Sequence, residues 1–229
     1  MKLAVMQPYL FPYIGYFQLI YASDRFMLYD DVTYIKQGYI NRNNILSKHG
    51  VTRFTVPVDG ASSNKLICDT SYAKHSKKAL NTIQQSYSKA PFFRSVFPIV
   101  QEILESDERS IATMCKKSLE DIFTYLEISK EVHKTSEIDY DRSGSAVDRI
   151  ITLCGEFNAD SYINSAGGRK LYHRSQFESR GLSLRFLEPI SFKYPQRSKV
   201  FVPNLSIIDM LMNCSPHEVK EYLTYYELN

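Results

Sequence analysis

The chain has 229 residues, enough to bury a full core, with 44% hydrophobic residues, 23% charged residues and a formal net charge of +3. So small a positive excess makes no demand for nucleic acid, and no apolar run approaches the roughly 20 residues that a membrane span requires. Four scattered cysteines (Cys68, Cys115, Cys154 and Cys214), with no CxxC pair, argue against a zinc site or disulfide framework and for reduced thiols in a cytoplasm.

In chain order, the opening carries one lysine and a few apolar residues before Gln7 and Pro8, too little for a signal peptide. Residues 3–6 predict a short buried strand, a Pro- and Tyr-rich turn follows, and a helix is expected from near Gly15. A second strand is expected at 25–29, ending in Asp30 and Asp31, and a third at 51–58, so that residues 1 to about 70 read as sheet. Apolar stripes at helical spacing fill 75–127, interrupted at Ala90-Pro91, where proline stops a helix. Beyond them come a strand at 128–134, an amphipathic helix at 145–157 and short strands at 161–163 and 182–186. The tail after Leu205 reads as helical, with Ser215-Pro216 as a helix start. Strands alternating with helices predict an α/β fold with a mainly parallel, Rossmann-like, three-layer sheet. We expect one domain over 1–229, with a helical segment at about 75–127.

Seventeen tyrosines and no tryptophan mark the composition, many of the tyrosines beside Pro, Asn or Gly in predicted loops, as in a wet, hydrogen-bonding pocket wall. In the first turn, which contains Gln7, the run Tyr13-Ile14-Gly15-Tyr16 enters the helix, where free amides and the helix dipole favour an anion. Asp30 and Asp31 are expected at a strand's carboxyl end, where ligands gather in α/β sheets; either could bind magnesium, orient an amine or take its proton. Lys36 and Arg42 are natural phosphate partners, and the amides of Asn41 and Asn43 flank Arg42. A third group, Asn164-Ser165-Ala166-Gly167-Gly168 through Tyr172, offers bare glycine backbone between polar donors but matches no named phosphate loop. Ser143-Gly144-Ser145, before a helix with Asp148 and Arg149, is a second capped helix start; two such entrances suit a ligand with two anionic ends. The five histidines show neither metal spacing nor a nucleophile partner, so no metal site or hydrolase triad is expected.

Two resemblances extend this reading. Tyr13-Ile14-Gly15-Tyr16 resembles the HIGH-type signature of nucleotidyltransferases and class I synthetases, which implies a HUP-like architecture. Tyrosine at both histidine positions supplies a donor but no imidazolium charge, and Lys193, Arg197 and Lys199 are a weak substitute for the KMSKS-like loop. The segments MQPYLFPYIGYFQLIYASDRFMLYDDV, NRNNI, YSKAPFF, SYINSAGGRKLY, LRFLEP, YPQ and NLSIIDML, in that order, resemble the WbqC-like proteins of bacteria. That resemblance implies a cytoplasmic role in O-antigen and other surface-polysaccharide synthesis, with nucleotide-linked amino sugars as substrates and aminoacyl transfer as one activity.

Three functions follow as expectations. The first is a transferase acting on a nucleotide-activated amino sugar. The second is an ATP-dependent nucleotidyltransferase or ligase, and the third a non-catalytic module that binds a nucleotide sugar. Cofactors stay open, magnesium and a nucleotide among them; the partner is a small molecule, with a homodimer compatible and no membrane insertion. The favoured reading turns on a notch between the amides near Gly15 and the Arg42 guanidinium.

Overall fold

The structure, a computed structural model describing residues 1–229, has a mixed α/β fold around a six-stranded, mostly parallel sheet. Strand β1 (Lys2–Met6) leads through a turn to α1 (Ile14–Ala22), which returns the chain to β2 (Arg25–Leu28), parallel to β1. Helix α1 is apolar nearly all round and therefore buried, and its one long polar side chain, Gln18, donates from Nε2 to Tyr222 O and Tyr225 O.

Between β2 and the next strand of the sheet lies a long excursion. It contains the hairpin β3 (Arg42–Ser47) and β4 (Gly50–Thr55), the small pair β5 (Val58–Asp59) and β6 (Ser71–Tyr72), and helices α2 (Lys77–Tyr87), α3 (Phe93–Glu105) and α4 (Ile111–Tyr125). The hairpin turns at Gly50, whose φ of 95° suits glycine. The chain rejoins the sheet at β7 (Val132–Lys134), which pairs with β2. Helix α5 (Ala146–Glu156) then leads to β8 (Ser161–Ser165), α6 (Arg174–Glu178) to β9 (Ser183–Pro189), and α7 (Ile207–Asn213) and α8 (Pro216–Tyr222) to β10 (Tyr226–Leu228).

Strand order is β10-β9-β8-β1-β2-β7, and only β10 runs antiparallel. The chain grows outward from β1 to β2 and β7, then crosses to the other side of β1 for β8 and β9. The order therefore reverses between β1 and β8, and the crevice beyond their carboxyl ends is where open α/β sheets bind ligands. Alternating side chains feed two cores: Ala4, Phe26 and Leu28 pack with α1 and the α2–α4 helices, while Leu3, Val5 and Met27 pack with α5 and α6.

Several sequence expectations are corrected. The strand expected at 51–58 does not join the main sheet; it divides into β4, which pairs with β3 and so takes Arg42, Asn43 and Asn44 of the expected ligand-binding cluster into a hairpin, and β5, which pairs with β6. That cluster's alternating burial is what a strand lying on the helical layer requires. The strand expected at 128–134 shortens to Val132–Lys134, because the end of α4 turns through a left-handed Glu127 at φ 54°. The tail is not wholly helical, since its last residues form β10. The break at Pro91 falls where expected, between α2 and α3.

Candidate functional site

A cavity of about 700 Å³ opens over the crevice between β1 and β8. Met6 and Gln7 at the end of β1, Tyr29 just past β2, and Asn164 and Ser165 at the end of β8 form its floor. Six of its 21 lining residues are tyrosines (9, 13, 16, 29, 39 and 172), and one, Arg149, is charged. The cavity thus presents aromatic faces, phenol hydroxyls and a single cation.

Arg149 projects from the first turn of α5. Its Nε donates to Gly144 O at 3.1 Å, which fixes the guanidinium at the cavity edge beside the Tyr29 phenol. No carboxylate pairs with it, because Asp148, the adjacent acid, turns back into the capping box with Ser145. That capping box occupies the Ser145 and Asp148 amides at the α5 entrance.

The opposite rim is the turn 166–170, which begins at Ser165 with no side-chain cap and places Gly167 and Gly168 in the lining. Asn164 is buried beneath it and donates from Nδ2 to Tyr162 Oη at 3.0 Å, while its Oδ1 accepts from Ser165 N. A Cβ on Gly168 would lie 2.9 Å from Asn164 Cγ, so this glycine is what allows the turn to sit on the amide. Tyr172 packs edge-on against Tyr162, which stacks in turn on Phe177.

On the near side the β1–α1 turn supplies Tyr9, Tyr13 and Tyr16. Tyr9 meets Tyr16 edge-on at 6.2 Å and Tyr39 at 5.6 Å, and the Tyr16 hydroxyl donates to Gln7 O at 2.8 Å. Burial pushes the phenols of Tyr9, Tyr13, Tyr16, Tyr29 and Tyr172 upward, so they serve as neutral donors at physiological pH. Ile35, Tyr39 and Leu171 leave an exposed apolar mouth.

Of the residues nominated from sequence, Gln7, Tyr13, Tyr16, Asn164, Gly167, Gly168 and Tyr172 come together in this cavity. Five others do not. The notch at Gly15 is filled by the protein itself, since a Cβ there would lie 2.5 Å from Tyr13 Cε2, and the ring covers the start of α1. Arg42, first in β3, directs Nε to Gly38 O at 2.8 Å and lies outside the lining; Asn41 gives its Nδ2 to Val56 O. Lys36 is exposed on the 33–40 loop, outside the lining. Asn43 is buried and donates from Nδ2 to Phe11 O.

The two acids are also placed away from the cavity, by their own hydrogen bonds. Asp30 accepts from Ser136 N at 2.9 Å and Ser136 Oγ at 2.7 Å. Asp31 accepts from Tyr140 Oη at 2.8 Å and Arg142 Nε at 2.7 Å, with Thr135 Oγ1 2.6 Å from its other oxygen. Both carboxyls tie the end of β2 to the segment after β7, and neither lines the tyrosine-rich cavity. No group of three His, Cys, Asp or Glu side chains converges as a metal ion would need.

Sequence reasoning named Arg149 only as part of a capped helix and did not nominate it, nor Tyr9, Tyr29 or Tyr39. The usable signal was a helix whose first-turn acid is committed to its cap, leaving the arginine beside it without a carboxylate partner.

Comparison with known proteins bears out the family resemblance. The WbqC-like protein family matches residues 7–221, a span holding every residue of the cavity except Val5 and Met6. An uncharacterized protein of Mycobacterium tuberculosis, Rv1507c, is 30% identical over 98% of this chain and 98% of its own length. No solved structure matches the chain. With nearly its whole length accounted for in this way, the chain belongs to the WbqC-like protein family.

Proposed function

We propose that the chain is a transferase that binds a nucleotide-activated amino sugar in the tyrosine-lined cavity, in the biosynthesis of surface polysaccharide. One observation carries this reading: a single arginine, in no ion pair with a carboxylate, facing a glycine turn across an aromatic cavity at the reversal point of the sheet. A diphosphate suits the space between the Arg149 guanidinium and the backbone of Gly167 and Gly168. The rings of Tyr9, Tyr29 and Tyr172 suit a base and a pyranose. About 700 Å³ falls within the range of roughly 300–1,000 Å³ typical of ligand pockets. The strand order, with its reversal beside β1, favours a Rossmann-like architecture of the HUP kind. Four free cysteines are in keeping with a cytoplasmic setting.

In this reading the sugar amine is positioned by phenol hydroxyls, because the lining holds no carboxylate and no imidazole. The same feature favours a second reading, a module that binds the nucleotide sugar and does no chemistry. ATP-dependent nucleotidyl transfer draws less support, since the Tyr13 ring covers the helix entrance on which the triphosphate would rest.

Titration calorimetry tests the reading with UDP- and dTDP-sugars and ATP, each with and without magnesium. Arg149→Ala is expected to weaken diphosphosugar binding by about 10- to 100-fold, the loss of a charged hydrogen bond. Equal affinity in the variant, or tight binding of ATP alone, would overturn it. Mass change in an amino-sugar substrate separates the transferase from the silent module.

A further inference from the structure

A second cavity, of about 500 Å³, lies on the other side of the tyrosine wall. It shares Tyr9, Tyr13 and Tyr39 with the first cavity, so the two chambers meet at these three rings. Its remaining lining is Asn43, Asn44 and Asn204 among Val51, Pro189, Val202, Pro203 and Leu205, with no charged side chain. The chambers therefore differ in chemistry: one holds a cation, the other only amides, phenols and apolar surface.

The second chamber has built walls. Asn44 belongs to β3, and its backbone carbonyl accepts from Ser206 N at 2.8 Å, which joins the hairpin to the start of α7. The segment bearing Val202 is clasped by Gln196, which donates from Nε2 to Val202 O at 2.9 Å and accepts from Val202 N at 2.8 Å. Gln196 and Tyr194 both donate to the buried Asp209. Asn204 turns the chain with left-handed backbone at φ 57°. Asn43 is occupied by Phe11 O and Asn44 N, and Asn44 Oδ1 accepts from Arg53 Nε at 3.3 Å, so the polar groups left for a ligand are Asn44 Nδ2, the Asn204 amide and the shared phenols.

We infer that this chamber is a second subsite, for an uncharged, hydroxyl- and amide-bearing sugar that occupies it while the anionic ligand occupies the first. An unpaired charge would find no counter-ion there and would lose its hydration. A pyranose has both features the walls offer, since its hydroxyls match amides and its C–H face matches proline, valine and tyrosine rings. The inference extends the proposed function by giving the co-substrate a place next to the nucleotide sugar, and it rests on that reading only for the identity of the first ligand.

The test is saturation-transfer NMR on the full chain with N-acetylglucosamine as the uncharged probe, alone and with saturating UDP. Transfer to N-acetylglucosamine is expected, and it should persist when UDP is present and in Arg149→Ala. Val51→Trp, at a half-exposed hairpin position that faces the chamber, should abolish it. Asn44→Ala, which adds no bulk, should weaken it about tenfold or more, or about 1.4 kcal/mol. No transfer in the wild type, displacement by UDP, or full signal in both chamber variants would overturn the second subsite. Failure of UDP itself to bind would count against the proposed function alone, because the two chamber variants decide the sugar site without it.

Discussion

The Asn43 side chain donates from Nδ2 to the carbonyl oxygen of Phe11 across 2.7 Å, and Ser206 Oγ donates to the same oxygen at 2.8 Å. Phe11 is the one aromatic residue with left-handed backbone, at φ 49°, a conformation that costs about 1–3 kcal/mol outside glycine. Two hydrogen bonds from two distant elements thus hold the turn that carries Tyr9 and Tyr13. Asn43→Ala is expected to lower unfolding free energy by about 1–3 kcal/mol in urea denaturation, because Phe11 O loses one of its donors. Unchanged stability would mean that Ser206 alone holds the turn.

Asp31 is expected to matter for folding and not for ligand affinity. Asp31→Ala strips Arg142 and Tyr140 of their shared acceptor and should cost about 2–4 kcal/mol. Chemical denaturation and calorimetry on the folded protein check both halves. Normal stability with lost turnover would instead restore a catalytic carboxylate.

Gly168 and Gly155 should respond oppositely to the same substitution. At Gly168 an added methyl meets Asn164 and breaks its contact with Tyr162, so Gly168→Ala should lose about 1–3 kcal/mol and weaken ligand binding. Nothing lies within 4 Å of a Cβ on the helical Gly155, so Gly155→Ala should gain about 0.5–1 kcal/mol. Thermal unfolding of the pair, with and without UDP, reads the contrast.

Asp209 sets a pH dependence. Burial raises its carboxyl above the usual range, although Tyr87, Tyr194 and Gln196 all donate to it and partly offset the shift. The folded state therefore binds the proton more tightly than the unfolded chain. Between the unfolded and folded pKa values the folded state carries more protons, so stability falls as pH rises through this window and is greatest below it. Asp209→Asn should flatten that slope, measured as unfolding free energy from about pH 4 to 7. An identical slope in the variant would assign the dependence elsewhere.

Much of the fold was legible where period and punctuation were local. The buried run Leu3–Val5, the stripes on α2 to α4 and the stop at Pro91 each follow from spacing alone. The hairpin at residues 42–55 was not, because its polar first half, Arg42-Asn43-Asn44, looks like a binding loop until Ile45 and Leu46 are seen to be buried. For the site, the β8 turn and the first-turn tyrosines could be read because glycine and tyrosine density mark them in sequence. The partners of the acids were not legible, since Asp30 and Asp31 meet residues 135–142 only after β7 has been laid beside β2. Arg149 escaped for the same reason: its freedom is defined by what Asp148 does in three dimensions.

The reversal of the sheet beside β1 has a consequence for how the protein is made. Its first strand finds its second neighbour only when β8 arrives, as the Met1 amino group does when it meets Asp160, 159 positions away. Closing so long a loop is a late and slow event, since nonlocal pairing must await the entropy cost of ordering the chain between. A ribosome-bound fragment that stops before this pairing would carry the tyrosines of the first turn with nothing opposite them. Competence to hold a ligand in that cavity would then mark a late stage of maturation.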